Sequence, residues 1–153
     1  TYSHLYGLHT TGLRYFTVYG PWGGRPDMAM FLFTDKILRD KPIQVFNHGN
    51  MKRDFTYIDD VITGTRSGID KNYKCEVFNL GNHRSEELMD VVHLIEESLG
   101  KKAIIDFQPM QSGDVSESFA DIQYSTEKLC FTSKTPIEDG IPSFIEWYRN
   151  FYE

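Results

Sequence analysis

Two arginines stand where an anion could be met. Arg25 lies in Gly20-Pro21-Trp22-Gly23-Gly24-Arg25-Pro26-Asp27, between an extended run and an apolar helical run. A strand that feeds a glycine-rich turn opening a helix leaves the helix's first N–H groups free for an anion. Arg25 adds a planar, permanently charged fork suited to carboxylate or phosphate. Taken alone it would be an ordinary surface arginine; its place in the turn makes a ligand role the better reading. Arg53 follows Lys52 and the polar turn Asn47-His48-Gly49-Asn50, and its plain alternative is a solvated charge. Other chemistries lack their residues. The five histidines, His4, His9, His48, His83 and His93, show no metal-ligand spacing. There is no Gly-x-Ser-x-Gly, no Walker loop and no Gly-x-Gly-x-x-Gly.

The elements that must position these groups read as follows. Thr1 to Gly7 is the end of a helix stopped by a glycine cap. Gly7 to Gly12 connects to a strand over Leu13 to Tyr19, rich in aromatic and β-branched residues. Met28 to Arg39 is a helix, apolar nearly all round, broken by Pro42. Ile43 to Phe46 and Phe55 to Ile58 are extended, and Asp59 caps a helix reaching about Ile69. Glu76 to Leu80 is a strand ended by Gly81-Asn82. Ser85 caps the next helix, with Glu86 and Glu87 in its first turn and Leu88, Val91, Val92, Ile95 and Leu99 at helical spacing. Ala103 to Phe107 is a strand, Pro109 to Ser118 a loop, and Ser125 to Phe131 a short helix. Thr135-Pro136-Ile137-Glu138 reads as a capping box opening a last amphipathic helix through Phe151. Strands alternate with helices, so the fold class is α/β.

Composition narrows the function. With 153 residues, 40% hydrophobic and 14% aromatic, the chain can form a real core. A formal net charge of −6 argues against a nucleic-acid or membrane-surface role. Cys75 and Cys130 stand far apart without a Cys-x-x-Cys, which fits reduced thiols in a cytoplasmic protein and gives no zinc or disulfide pattern. No signal peptide and no bilayer-length apolar run is present. The chain opens on Thr1, inside a helix, and is expected to be a fragment.

Arg14-Tyr15-Phe16-Thr17-Val18-Tyr19-Gly20-Pro21-Trp22-Gly23 and Arg25-Pro26-Asp27-Met28 resemble the UDP-glucuronate 4-epimerases. The match continues through Val45-Phe46-Asn47-His48-Gly49, Lys52 to Asp60, Phe78 to Asn82 and Gly113-Asp114-Val115, in order over essentially the whole chain. The resemblance implies the C-terminal portion of an extended short-chain dehydrogenase/reductase of the NAD-binding Rossmann-fold superfamily. The N-terminal dinucleotide-binding half, with its catalytic Tyr-x-x-x-Lys, would lie upstream, so no catalytic residue is expected in this chain. Residues 1–153 would form one compact nucleotide-sugar-binding unit.

The same resemblance assigns roles. Arg25, helped by the Thr17 hydroxyl, would meet the glucuronate carboxylate, and Arg53 the UDP pyrophosphate. Gln44 to Phe46 would offer backbone groups to the uracil, and Met28 a helix-start N–H to phosphate. Asp114 would lie near the ribose and Gln111 near the nucleotide. Tyr15 and Val18 would line the nicotinamide of NAD. Gly23-Gly24 stands where the family shows one glycine, an insertion with room to displace Arg25. Tyr124-Ser125-Thr126-Glu127-Lys128 also fits Tyr-x-x-x-Lys, but it lies far behind the Arg14-Tyr15-Phe16 strand instead of before it, and reads as a plain surface helix start. The implied activity is interconversion of UDP-glucuronate and UDP-galacturonate through oxidation and re-reduction at C4, in a homo-oligomer, with this fragment inactive alone. The alternatives are an epimerase or dehydratase for another UDP-sugar, or a non-catalytic sugar-nucleotide-binding or subunit-interaction domain.

Overall fold

The long extended run from Thr10 onward divides at Phe16, and that division sets the architecture of the computed structural model, which describes residues 1–22 and 25–152. The first part, β1 (Thr10–Tyr15), follows helix α1 (Tyr2–Tyr6); the second is β2 (Thr17–Tyr19). The strand thus begins before Leu13, and it changes partner midway. β1 pairs in parallel with β6 (Cys75–Leu80), whereas β2 pairs in parallel with β5 (Phe55–Tyr57). A continuous apolar run carries no mark of where such a switch occurs, because both halves satisfy the same strand preference.

Helix α2 (Ala29–Leu38) leads to β3 (Ile43–Val45), a 3-10 turn (Phe46–Gly49) and the two-residue β4 (Lys52–Arg53). Helix α3 (Ile58–Lys71) follows β5. Next come β7 (Glu86–Glu87), α4 (Leu88–Leu99), β8 (Ile105–Phe107), α5 (Gln123–Leu129) and α6 (Ile137–Tyr152). β3 pairs in parallel with β8, and β4 pairs antiparallel with β7. Parallel pairs joined by helical crossovers are the α/β pattern.

Three expected caps fall differently. Tyr57, not Asp59, precedes α3; Asp59 and Asp60 occupy its first turn, where carboxylates suit the helix's positive end. Glu86 and Glu87 leave the helix after Ser85 and form β7, because Lys52 and Arg53 supply a strand opposite them. Ser85 Oγ instead donates to the Ser118 carbonyl. The Thr135–Glu138 capping box is replaced by Asp60, whose Oδ2 accepts from Ser133 Oγ and from the Lys134 and Thr135 N–H groups, each at 3.0 Å. One buried carboxylate from α3 thus ties down the entry to α6.

The larger apolar cluster joins β2, β5, β3, α2, α4 and α6 around Tyr19, Phe31, Phe55, Ile95, Ile141 and Phe144. A smaller one gathers Phe78, Leu80, Leu129 and Phe131 between β6 and α5. Burying side chains of this size contributes about 1.5–3 kcal/mol each before entropy. Between the clusters stands Asp54, fully buried. Its carboxylate accepts hydrogen bonds from Thr56 Oγ1 and from the Asn82, His83 and Ala120 N–H groups at 3.0, 2.6, 3.1 and 3.0 Å. Gly81 makes this approach possible: a Cβ there would overlap Ala120 and sit 3.2 Å from both Asp54 oxygens. Among the described residues, no helix is long and apolar enough to cross a membrane.

Candidate nucleotide-sugar cleft

Helix α2 presents Ala29, Leu32, Phe33 and Lys36 along one face, at the i, i+3, i+4, i+7 spacing of a helical stripe. That face forms one wall of a cleft of about 380 Å³. Thr17 of β2 and Phe55 of β5, register partners in the sheet, close one side. Gln44 of β3, Phe46, Met51, Arg53 of β4 and Leu88 of α4 line the cleft as well. The loop after β8 contributes Gln111 and Asp114. The cleft is mostly apolar, with a few polar groups converging on it, which suits a ligand with a flat ring and an anionic group.

Arg53 is held firmly. Its Nη1 donates to the Lys52 carbonyl and its Nη2 to Asp114 Oδ1, both at 2.8 Å, with the side chain 17% exposed. Opposite it in the β4–β7 ladder is Glu86, whose carboxyl is pushed above its ordinary range by burial and then by the charge of Glu138. Asp54 fixes the position of Arg53 from the next residue: the Asp54 carbonyl accepts the Thr17 N–H at 3.0 Å, so Thr17 and Arg53 are set by one buried neighbour. The 109–118 loop is fastened at Lys52, whose N–H donates to Ser116 and whose carbonyl accepts from Ser118. Asp114 Oδ1 also accepts its neighbour Val115 N–H, which orients the carboxylate.

The N-terminus of α2 is built for an anion only in part. The Met28 N–H is already donated to the Arg25 carbonyl at 3.0 Å. The following N–H groups, of Ala29, Met30 and Phe31, have no intrahelical acceptor and carry the helix's positive end. Among the described residues, β3 has β8 on one side and no strand on the other. The bonds from Ile43 N–H to the Ile104 carbonyl and from Gln108 N–H to the Val45 carbonyl face β8. By the alternation of a parallel ladder, the Gln44 N–H and C=O face the other way.

Of the residues that the family resemblance named for substrate, Thr17, Met28, Gln44, Phe46, Arg53, Gln111 and Asp114 all line this one cleft. Arg25 does not. Its Nε donates to Asp27 Oδ1 at 3.0 Å and its Nη2 to Asp27 Oδ2; that pairing raises the guanidinium's pKa and lowers the carboxyl's. Both side chains are exposed, and only Asp27 reaches the cleft wall. The neighbouring Gly23-Gly24 pair lies outside the described residues. Tyr15 and Val18 also lie off the cleft; the half-exposed Tyr15 hydroxyl bonds Thr65 Oγ1 at 3.1 Å. Tyr124 and Lys128 lie on α5, where the Tyr124 hydroxyl donates to Glu76 Oε2, the first cause of its raised pKa, and Lys128 sits over the Tyr124 ring.

Two residues with a part in this site carry no role in the sequence reading. Asp54 had a signal: a carboxylate inside the strand-like run Asp54-Phe55-Thr56-Tyr57 requires buried donors. Lys36 had a weaker one, a cation within a helix that is otherwise largely apolar.

Comparison with known proteins agrees with this geometry. The profile of the NAD dependent epimerase/dehydratase family matches residues 1–81. UDP-glucuronate 4-epimerase 4 of Arabidopsis thaliana is 41% identical over 99% of this chain and 38% of its own length. The crystal structure of UDP-glucuronic acid 4-epimerase from Bacillus cereus, in complex with UDP-glucuronic acid and NAD, superposes with a TM-score of 0.91. It is 34% identical and covers 99% of this chain and 48% of that one. The UDP-glucose 4-epimerase of Thermotoga maritima, with UDP-glucose, gives a TM-score of 0.90 at 32% identity, over 99% and 50% of the two chains. The chain therefore spans half or less of the length of these relatives. The matched segment carries the cleft from Thr17 to Arg53, and on that ground this chain belongs to the NAD dependent epimerase/dehydratase family.

Proposed function

We propose that residues 1–153 form the nucleotide-sugar-binding unit of a UDP-glucuronate 4-epimerase. The observation that carries this reading is the cleft, where residues far apart in sequence converge on one cavity with Arg53 at its polar side. Arg53 takes a phosphate oxygen through its fork, with Asp114 giving way or turning to a ribose hydroxyl. The α2 N-terminus adds a second positive pole. The apolar lining of the cleft takes the base, whose edge meets the outward-facing N–H and C=O of Gln44. Thr17 lies at the end of the cleft nearest β1 and would meet the sugar.

The described residues do not by themselves fit a dinucleotide. In this reading Tyr15 and Val18, which lie off the nucleotide-sugar cleft, line the nicotinamide of an NAD held mainly by the rest of the longer protein. When bound, NAD supplies the oxidation and re-reduction at C4 of the sugar. The part of this chain is to clamp the diphosphate and base while the sugar end remains free to turn. The longer protein is an isomerase of nucleotide sugars in the cytoplasm, working as a homo-oligomer, and the segment alone is inactive.

A second reading, a neutral UDP-hexose as substrate, is favoured by one observation: Arg25 lies off the cleft, with its fork filled by Asp27. Calorimetric titration of UDP, UDP-glucuronate and UDP-glucose decides between them. Arg53→Ala is expected to weaken all three by about 1.5–3 kcal/mol, the worth of a charge-assisted contact. Arg25→Ala is expected to weaken UDP-glucuronate alone. Tighter binding of UDP-glucose than of UDP-glucuronate selects the neutral sugar, unchanged UDP-glucuronate affinity in Arg25→Ala shows that Arg25 is displaced from the site, and full UDP affinity in Arg53→Ala removes the cleft assignment.

A further inference from the structure

Four charged side chains line the cleft: Asp27, Lys36, Arg53 and Asp114. Three are already committed, Arg53 and Asp114 to each other and Asp27 to Arg25. Lys36 has no ion pair or side-chain hydrogen bond among the described residues, although it is half-buried in the cleft wall. An ammonium in that position has lost part of its water and gained no partner, so a ligand atom that accepts its proton is favoured there.

Its place along α2 indicates which part of the ligand. Lys36 is seven residues beyond Ala29, about 10 Å from the free N–H groups at the helix start. The phosphates belong at that start and at Arg53. Lys36 stands instead beside the Arg39–Pro42 connection, three residues before it, as Gln44 is two residues after it. α2 packs on β3 directly. The ammonium and the outward-facing Gln44 peptide therefore share one end of the cleft. That peptide offers one donor and one acceptor, which match the N3–H and one carbonyl of a pyrimidine-dione. The second carbonyl is left over.

We propose that Lys36 is a base-selecting residue, its ammonium donating to the C4 carbonyl of a uracil-type base whose N3–H is taken by Gln44. This rests on the nucleotide-sugar reading of the cleft. A cytosine base presents an amino group at C4, which would face the ammonium donor to donor, and N3 without a hydrogen, which would face the Gln44 carbonyl acceptor to acceptor. Selection of this kind is strong, because the wrong base leaves buried polar groups unpaired.

The test is calorimetric titration of the 153-residue chain with UDP and with CDP, before and after Lys36→Met, which keeps the apolar stem. The unsubstituted chain is expected to prefer UDP by at least about tenfold, and Lys36→Met to lose about tenfold on UDP and little on CDP. Lys36→Gln retains a donor and is expected to recover part of the preference. An equal loss on UDP and CDP would mean that Lys36 meets a phosphate, and no loss on UDP that it meets nothing; either overturns the proposal. If the unsubstituted chain binds neither nucleotide, the cleft reading itself fails, a result visible before any substitution is made.

Discussion

At the scale of single residues, Asp54 is the position on which the cleft depends most. It touches no cleft surface, yet its backbone sets Thr17 and its carboxylate holds the turns after β6 and before α5. Asp54→Asn keeps shape and volume but replaces one accepting oxygen with an NH₂ group facing N–H donors. The expected loss is about 3 kcal/mol, since each buried donor left unpaired costs 1–3. That corresponds to a Tm lowered on the order of 10 °C for a chain of this length. A thermal melt within 2 °C of the unsubstituted protein, roughly the effect of half a kcal/mol, would exclude this role. Arg25 illustrates the opposite case. Its residue type and turn suit a ligand, but the carboxylate two residues on occupies its fork.

At the scale of elements, α6 crosses the β2–β5 pair at Gly140. A Cβ at that position would run into the Tyr19 hydroxyl and lie 2.9 Å from the Tyr57 ring. The Tyr19 hydroxyl is buried without a partner among the described residues, and burial pushes its pKa far up. Two effects oppose each other in Gly140→Ala. Helix propensity favours alanine by about 1 kcal/mol. Overpacking costs about 1–3 kcal/mol, because the neighbours are rigid aromatic rings. The packing effect is expected to win, giving a net loss of about 1 kcal/mol in urea titration. Adding Tyr19→Phe removes the clashing oxygen and the unpartnered hydroxyl together, and is expected to restore part of that loss. A Gly140→Ala variant more stable than the starting protein would show that α6 can move away freely.

For the whole molecule, the distribution of exposed apolar residues is uneven. Tyr2, Leu5 and Tyr6 on α1 are 66, 61 and 68% exposed, and Tyr15 and Val77 on the β1–β6 pair are both 49% exposed. Among the described residues β1 has β6 on one edge and no strand on the other. Parallel strands are ordinarily covered on both faces, and an open strand edge invites pairing with another chain. The 153-residue chain is therefore expected to form a dimer or larger species through this edge or α1. Sedimentation at micromolar concentration checks it. A monodisperse monomer with Tyr15 protected from solvent would overturn this account.

Much of the molecule follows from local sequence. The α/β class, α2, α4 and α6 come from apolar periods of 3.6 that any tertiary setting would bury, and Gly7 and Gly100 close α1 and α4 with φ of 67° and 65°. Seven of the residues that line the cleft were named from family motifs, not from periodicity, because they are far apart in sequence and follow no helical or strand repeat. Only the tertiary structure decided which partner each charge takes. Arg53 finds Asp114, Asp60 takes over the entry to α6, and Lys36 is left without a partner among the described residues. The physical reason is range. Periodicity and capping act within a turn or two of the chain, whereas the Arg53–Asp114 pair closes 61 residues and the Asp60–Thr135 bond 75. Such contacts are selected by how the layers pack, and no local pattern encodes them.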